Sequence, residues 1–206
     1  MLDDEQELPT LRQAASSLPR ERRLFLRRWL AHPLRVAAMF PSSPALADMV
    51  ADQVPDPGGQ FVIEVGAGTG AITRALLNRI PEEHLILVEL DEELCQWLKS
   101  RFPRSTVLCG NAIDLPRLLP DVRENHGVAA VVSGIPIVQF PMAAKRAFVD
   151  SVFAMMGPDG VLLQYTYLPL SPLPCRRLNL EARRLGAVSD GAARLFLWRF
   201  ARCGAA

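Results

Sequence analysis

A doubly wound α/β fold is predicted, with a mostly parallel seven-stranded sheet, a C-terminal antiparallel hairpin and an N-terminal helical extension. Three observations predict it. Apolar runs of strand length alternate with helix-patterned segments from Phe61 to Met156, which implies helices on both faces of a parallel sheet. The first run, Val62-Ile63-Glu64-Val65, passes directly into Gly66-Ala67-Gly68-Thr69-Gly70, where alternate glycines allow a sharp turn and the close approach of a ligand. Near the end, Asp190-Gly191 between two apolar stretches reads as the turn of a hairpin.

The elements follow in order. Residues 1–54 read as a basic, amphipathic helical extension that associates with membranes, and 55–206 as the α/β domain. Between Arg12 and Arg35 lie seven arginines and a single acid, Glu21. On a helical wheel Phe25, Leu26, Trp29 and Leu30 share one side, while Arg20, Arg23, Arg27 and Arg28 take the other. Arg22 and Leu24 break the pattern. Pro19 suits a first helical turn and Pro33 ends the helix. A Pro-Ser-Ser turn, Phe40 to Pro44, leads to a helix over Ala45–Gln53, and Pro55-Asp56-Pro57-Gly58-Gly59 separates it from the first strand. Strands are expected at Phe61–Val65, His84–Glu89, Ser105–Cys109, Val128–Ser133 and Gly160–Tyr167, and helices at Gly70–Ile80, Glu92–Arg101, Leu115–Leu119 and Met142–Met156. Beyond these, Leu180–Leu185 reads as helix and Gly186–Ser189 and Arg194–Arg202 as the hairpin strands.

Composition narrows the function classes. A chain of 206 residues, 50% apolar, can bury one full core. The net charge of +1 provides no global field to gather nucleic acid. Because 21 of the basic residues are arginines and only Lys99 and Lys145 are lysines, a single Arg is a weak sign of anion recognition. Cys95, Cys109, Cys175 and Cys203 are scattered without CxxC spacing, which argues for a reducing compartment and against a disulfide framework or metal site. With no signal peptide and no apolar run of membrane-spanning length, a cytoplasmic location is expected.

In a doubly wound sheet, ligands bind beyond the carboxyl ends of the strands. Each strand carries something useful there: Glu64 and Gly66, then Glu89, Asn111, Ser133, and finally Tyr165 and Tyr167. A carboxylate ending the second strand can accept both hydroxyls of a ribose. Asn111 can donate to and accept from an adenine edge. The dinucleotide fingerprint wants G-x-G-x-x-G, whereas this chain has G-x-G-x-G followed by Ala71.

Glu64 to Gly70, Glu89 and Gly110-Asn111-Ala112 resemble the first three motifs of class I S-adenosylmethionine-dependent methyltransferases, whose fold is Rossmann-like. The resemblance implies that Glu64, Gly66, Ala67, Gly68 and Gly70 hold the methionine part of S-adenosylmethionine. Glu89 would hold the ribose and Asn111 would sit beside the adenine, with Leu90, Ala112, Ser42 and Ser133 also at the cofactor. Many relatives have Asp where this chain has Asn111. The product would be S-adenosylhomocysteine, and no metal is implied.

The fourth motif bears on the acceptor. Amino-methylating nucleic-acid enzymes carry a (D/N/S)-P-P-(Y/F/W) loop after the fourth strand, with an aromatic that stacks on the flipped base. Here the loop is Ser133-Gly134-Ile135-Pro136-Ile137, so Gly134 replaces the first proline and Ile137 the aromatic. From about Leu24 to Phe200 the chain is similar to the bacterial phospholipid N-methyltransferases, which convert phosphatidylethanolamine stepwise to phosphatidylcholine and share ancestry with ribosomal RNA adenine dimethylases. The likeness lies in this loop, in Phe25 to Trp29 with Phe40-Pro41-Ser42-Ser43, in Gln164-Tyr165-Thr166-Tyr167 with Ser171-Pro172, and more loosely in Trp198. It implies a phospholipid substrate, an anionic membrane surface as the peripheral partner, attachment to the inner membrane, and neither nucleic acid nor a protein partner. Arg23, Arg27, Arg28 and Trp29 would meet the membrane, and Arg176 and Arg177 the lipid phosphate. Tyr165 and Tyr167 are the candidates for cation–π contact with the methylated head group. Ser133 or the Ile135 carbonyl would hold the amine. RNA adenine N6-methylation is the alternative.

Overall fold

The structure is a computed structural model and describes residues 43–125, 127–190 and 193–204. The chain divides into two compact units, 1–41 and 42–206. The expectations for Arg23, Arg27, Arg28, Trp29 and Ser42 therefore fall outside the described residues.

In the second unit, helix α1 (Pro44–Ala51) starts at Ser43, whose side chain accepts from the Leu46 N–H at 3.3 Å, with Pro44 in the first turn. A short polar side chain followed by proline suits a helix start. Leu46, Ala47, Val50, Ala51 and Val54 are buried in the core. These residues pack in one cluster with residues of the sheet and its helices.

Strands β1 (Phe61–Val65), β2 (Leu85–Glu89), β3 (Thr106–Cys109), β4 (Val128–Ser133) and β5 (Met156–Thr166) run parallel. They are joined by α2 (Ala71–Leu76), α3 (Glu92–Arg101), α4 (Leu115–Leu118), α5 (Pro120–Glu124) and α6 (Met142–Phe153). After α7 (Cys175–Leu178), strands β6 (Leu180–Asp190) and β7 (Ala193–Arg202) pair antiparallel. The seven-stranded sheet has the order β3-β2-β1-β4-β5-β7-β6. Near-continuous apolar sequence in β1, β2 and β4 follows from burial on both faces. One core cluster packs Val62, Leu85, Leu87, Ala130 and Val132 with α1 and α2; the other packs Ile63, Val65, Ile86, Val88 and Val131 with α4 and α6. Helix α3 is fixed at its start by Asp91, which accepts from the Glu93 and Leu94 N–H groups, and carries Glu92 and Glu93 in its first turn and Lys99 and Arg101 in its last. That arrangement complements the helix dipole.

Several boundaries differ from expectation. Helix α2 ends at Leu76 rather than Ile80, and β5 begins at Met156 rather than Gly160. The larger change is Leu180–Leu185, read as helix and observed as strand. Its Leu, Glu, Ala and Arg residues favour helix locally. Pairing of Ala182 with Phe200 and Arg184 with Trp198 overrides that preference, as tertiary contact commonly does. The register pairs Asp190 with Ala193, in keeping with a tight hairpin, although Gly191 lies outside the described residues.

Candidate active site

The order of strands reverses between β1 and β4, so the loops that leave these two strands meet. Gly134 N donates to Val65 O at 2.9 Å, and a Cβ on Gly66 would lie 3.0 Å from Ile135 Cγ2. Gly66, Gly68 and Gly70 have φ of 73°, 58° and 79°. Three left-handed residues in five are tolerable only as glycine. The turn they form brings Gly68 N to 2.9 Å from Glu89 Oε2. The other oxygen of Glu89 accepts from Leu90 N (2.8 Å) and Asp91 N (3.1 Å). One carboxylate thus ties the glycine turn to the end of β2, with a lone pair of Oε2 left to accept a ligand hydroxyl.

Glu64 lies beneath the turn, 2% exposed, with Oε2 accepting from Thr73 Oγ1 at 2.6 Å. Burial raises its pKa from the ordinary 4.5 to about 8; the Thr73 hydrogen bond opposes this and the charge of Glu89 reinforces it. The folded chain therefore holds a proton on Glu64 that the unfolded chain releases above its lower pKa. Stability falls as pH rises through this window, by about 3 kcal/mol at neutral pH, and flattens above the folded value. Glu64→Gln should remove most of that slope, because an amide can accept from Thr73 without ionising. Urea unfolding at several pH values between about 5 and 8 checks this, and an unchanged slope would refute it.

Asn111 follows β3, and its Oδ1 accepts from Ile113 N at 3.2 Å, capping a short turn over Ala112–Asp114. Toward an adenine its NH2 can donate and the second lone pair of Oδ1 can accept. Ala112 is buried, and its carbonyl accepts from Ser151 Oγ on α6 at 2.6 Å, which fixes the loop. Leu90 and Ile113 are exposed at the ends of the neighbouring strands β2 and β3.

Two expectations fall on the end of β4 and the loop after it. The Ile135 carbonyl already accepts from Ile137 N (2.8 Å) and from Gln164 Nε2 (3.1 Å). Both lone pairs are used, so it does not hold an amine. Ser133 is fully buried. Its hydroxyl belongs to a row across adjacent strands, since Ser133 pairs with Gln164 and Gln164 with Trp198. Ser133 Oγ, Gln164 Oε1 and Trp198 Nε1 are the buried side-chain polar atoms without a hydrogen-bond partner among the described residues.

Tyr165 and Tyr167 are half-buried and pack against the same core cluster, as strand alternation requires. A Cβ on Gly134 would fall on the Tyr165 hydroxyl and lie 2.8 Å from its Cζ. Gly134 is therefore the residue that admits this tyrosine. Arg176 and Arg177 are exposed on α7, and Arg177 O accepts from Arg146 Nη2 at 2.6 Å.

Sequence reading missed Thr73, Gln164 and the Cys95–Cys109 pair. Gln164 was signalled by its position as a lone amide within the apolar run Leu162-Leu163-Gln164. The cysteines gave no spacing signal, yet the structure joins them in a disulfide, Cα–Cα 5.8 Å, between α3 and the end of β3. The expectation of no disulfide is corrected, and with it the argument from cysteine spacing to a reducing compartment. No helix among the described residues is long and apolar enough to cross a membrane.

The residues present fit S-adenosylmethionine: a glycine cradle, a carboxylate at the ribose position and exposed apolar side chains where an adenine would lie. Comparison with known proteins agrees. A family model described as "Methyltransferase domain" matches residues 62–160. An ornithine lipid N-methyltransferase from Singulisphaera acidiphila is 32% identical over 150 residues, covering 71% of this chain and 78% of that protein. The ribosomal RNA small subunit methyltransferase A of Thiobacillus denitrificans is 42% identical over 69 residues, but this covers 32% of this chain and 26% of that one. Among solved structures, the glycopeptide N-methyltransferase MtfA complexed with S-adenosylmethionine superposes with a TM-score of 0.59 at 16% identity, over 80% of this chain and 96% of that chain. TrmN from Thermus thermophilus superposes with a TM-score of 0.59 at 20% identity, over 81% of this chain and 51% of that one. These structures share the fold. With the glycine turn, Glu89 and the sequence match together, the chain belongs to the class I S-adenosylmethionine-dependent methyltransferases, in the family that includes the bacterial lipid N-methyltransferase.

Proposed function

We propose that this enzyme N-methylates the primary amine of a polar lipid at the cytoplasmic face of the inner membrane, to which it binds peripherally. The phosphatidylethanolamine-type head group, methylated stepwise to phosphatidylcholine, is the acceptor that the sequence resemblance favours. An ornithine lipid is the second candidate, because the S. acidiphila relative carries that name. The observation that carries the lipid reading over RNA is Ile137. It stands where base methylases place their stacking aromatic, and it is both aliphatic and 1% exposed, so no flipped base can stack on it.

Glu64, Gly66, Ala67, Gly68, Gly70, Glu89, Leu90, Asn111 and Ala112 would hold the cofactor, which supplies an electrophilic methyl group. The acceptor amine must lose its proton before it can attack. An alkylammonium is mostly protonated at neutral pH, and a site of low dielectric shifts it toward the neutral form. Tyr165 and Tyr167 supply half-buried aromatic surface near the loop, and their ring faces favour the cationic methylated product. With the Ile135 carbonyl already accepting two hydrogen bonds and Ser133 fully buried, orientation by the two tyrosines replaces a dedicated amine-holding group. Arg176 and Arg177 would face the acidic part of the head group.

Methyl-labelled S-adenosylmethionine supplied with vesicles containing phosphatidylethanolamine, vesicles containing ornithine lipid, or ribosomal RNA separates these readings. Label extracted with a lipid is the expected result, and the vesicle that acquires it names the acceptor. Label confined to RNA would overturn the proposal.

A further inference from the structure

Among the described residues, five large apolar side chains are exposed: Leu90, Ile113, Leu118, Leu168 and Leu170. Isolated exposed leucines are ordinary, but these five share a location. Leu90 follows β2 directly. Ile113 and Leu118 lie in the connection after β3, with Leu118 Cδ1 3.8 Å from where a Gly110 Cβ would stand. Leu168 and Leu170 follow β5. All five belong to segments that leave the carboxyl ends of parallel strands, the edge that carries the site. Among the described residues, the other helix faces and the opposite strand ends expose no large apolar side chain.

Leu168 and Leu170 differ from the rest. Leu170 is 76% exposed, the most exposed of the five, and the segment that presents it is held firmly. Leu168 N donates to Thr166 Oγ1 (3.3 Å), Ser171 Oγ donates to Leu173 O (2.9 Å), and Leu173 is buried at 2%. Pro169 and Pro172 stiffen the backbone between these anchors. A chain that merely lacked a partner for these leucines would gain nothing by bracing them outward. Six residues further on, Arg176 and Arg177 are exposed on α7, with exposed Arg146 bonded to the Arg177 carbonyl. Exposed apolar side chains followed within the same connection by exposed arginines offer both groups that a bilayer surface takes, acyl chains for the leucines and anionic head groups for the arginines.

We propose that the Leu168–Leu170 loop inserts into the bilayer interface, with Arg146, Arg176 and Arg177 on the anionic head groups, so that the mouth of the site faces the membrane. The inference deepens the lipid-methylation reading and rests on it for the identity of the acceptor. It assigns the docking surface to the catalytic domain itself, separate from the arginine-rich segment before residue 42.

The test uses the full chain and vesicles of phosphatidylcholine with phosphatidylglycerol, which offer no primary-amine acceptor lipid. Leu168→Ser/Leu170→Ser should weaken sedimentation with these vesicles by about ten-fold or more. Calorimetric binding of S-adenosylmethionine, and methylation of a short-chain, monomerically dissolved amine lipid, should stay unchanged. Leu170→Trp should add fluorescence that lipids brominated in their acyl chains quench. Unchanged vesicle binding by the serine variant, or an added tryptophan that brominated lipid does not quench, would overturn the proposal. So would wild-type protein that sediments with no vesicle, an outcome that leaves the rim to a protein partner. If the loop proves necessary for vesicle binding but no lipid accepts methyl label, the docking surface stands and the acceptor assignment fails.

Discussion

Glu89→Ala should weaken S-adenosylmethionine binding by about 100-fold or more and leave a folded protein. The carboxylate accepts three backbone N–H groups, from Gly68, Leu90 and Asp91, and so holds the glycine turn against the end of β2. Alanine removes the ribose acceptor and the tie that shapes the cradle, and a hydrogen bond to a charged group contributes about 1.5–3 kcal/mol. Glu89→Gln should rescue little. Each carboxylate oxygen accepts from at least one N–H, so a side-chain NH2 in either position would face a donor. Calorimetric titration with S-adenosylmethionine measures the loss, and thermal unfolding shows whether the chain remains folded. Wild-type affinity in the alanine variant would remove Glu89 from the cofactor site.

The second large effect is expected at Gly134. An alanine Cβ there overlaps the Tyr165 hydroxyl. Either the loop lifts, losing the Gly134–Val65 hydrogen bond, or the tyrosine turns away. Both disturb the acceptor side while the Glu89 anchor of the cofactor side remains. Gly134→Ala should therefore lower kcat/KM for the lipid by about 100-fold, with a destabilisation of about 1–3 kcal/mol typical of overpacking. Adding Tyr165→Ala should remove the overlap, at the cost of the tyrosine's own packing, without restoring turnover. Thermal unfolding and labelled methyl transfer read the two quantities separately. An alanine variant with full turnover would show that Tyr165 does not shape the acceptor site.

The strands of the parallel half were readable from sequence because each is a short apolar run bounded by turn residues; the pairing of β1 with β4 was not. Glu64, the glycine turn and Glu89 were readable because their chemistry sits within a single βαβ unit. What escaped depends on partners distant in sequence. Leu180–Leu185 became strand through β7. Ile135 lost its carbonyl to Gln164, 29 residues away. Ser133 was read as reaching the substrate because its position in the motif is local, whereas its burial is set by β1 and β5 on either side. Cys95 and Cys109 meet because α3 folds back along the end of β3. In each case the residue type was visible and its neighbour was not.

The C-terminal hairpin has a consequence for how far the chain can be shortened. Strand β7 lies directly against β5 and places Trp198 beside Gln164, the residue that holds the Ile135 carbonyl. Removing the last two strands would uncover the edge of β5 and expose one flank of the amide on which the acceptor loop rests. A fragment ending after β5 would keep every cofactor motif and still lose the support of the methyl-acceptor side. The domain's minimal unit of activity is thus larger than its minimal unit of cofactor recognition.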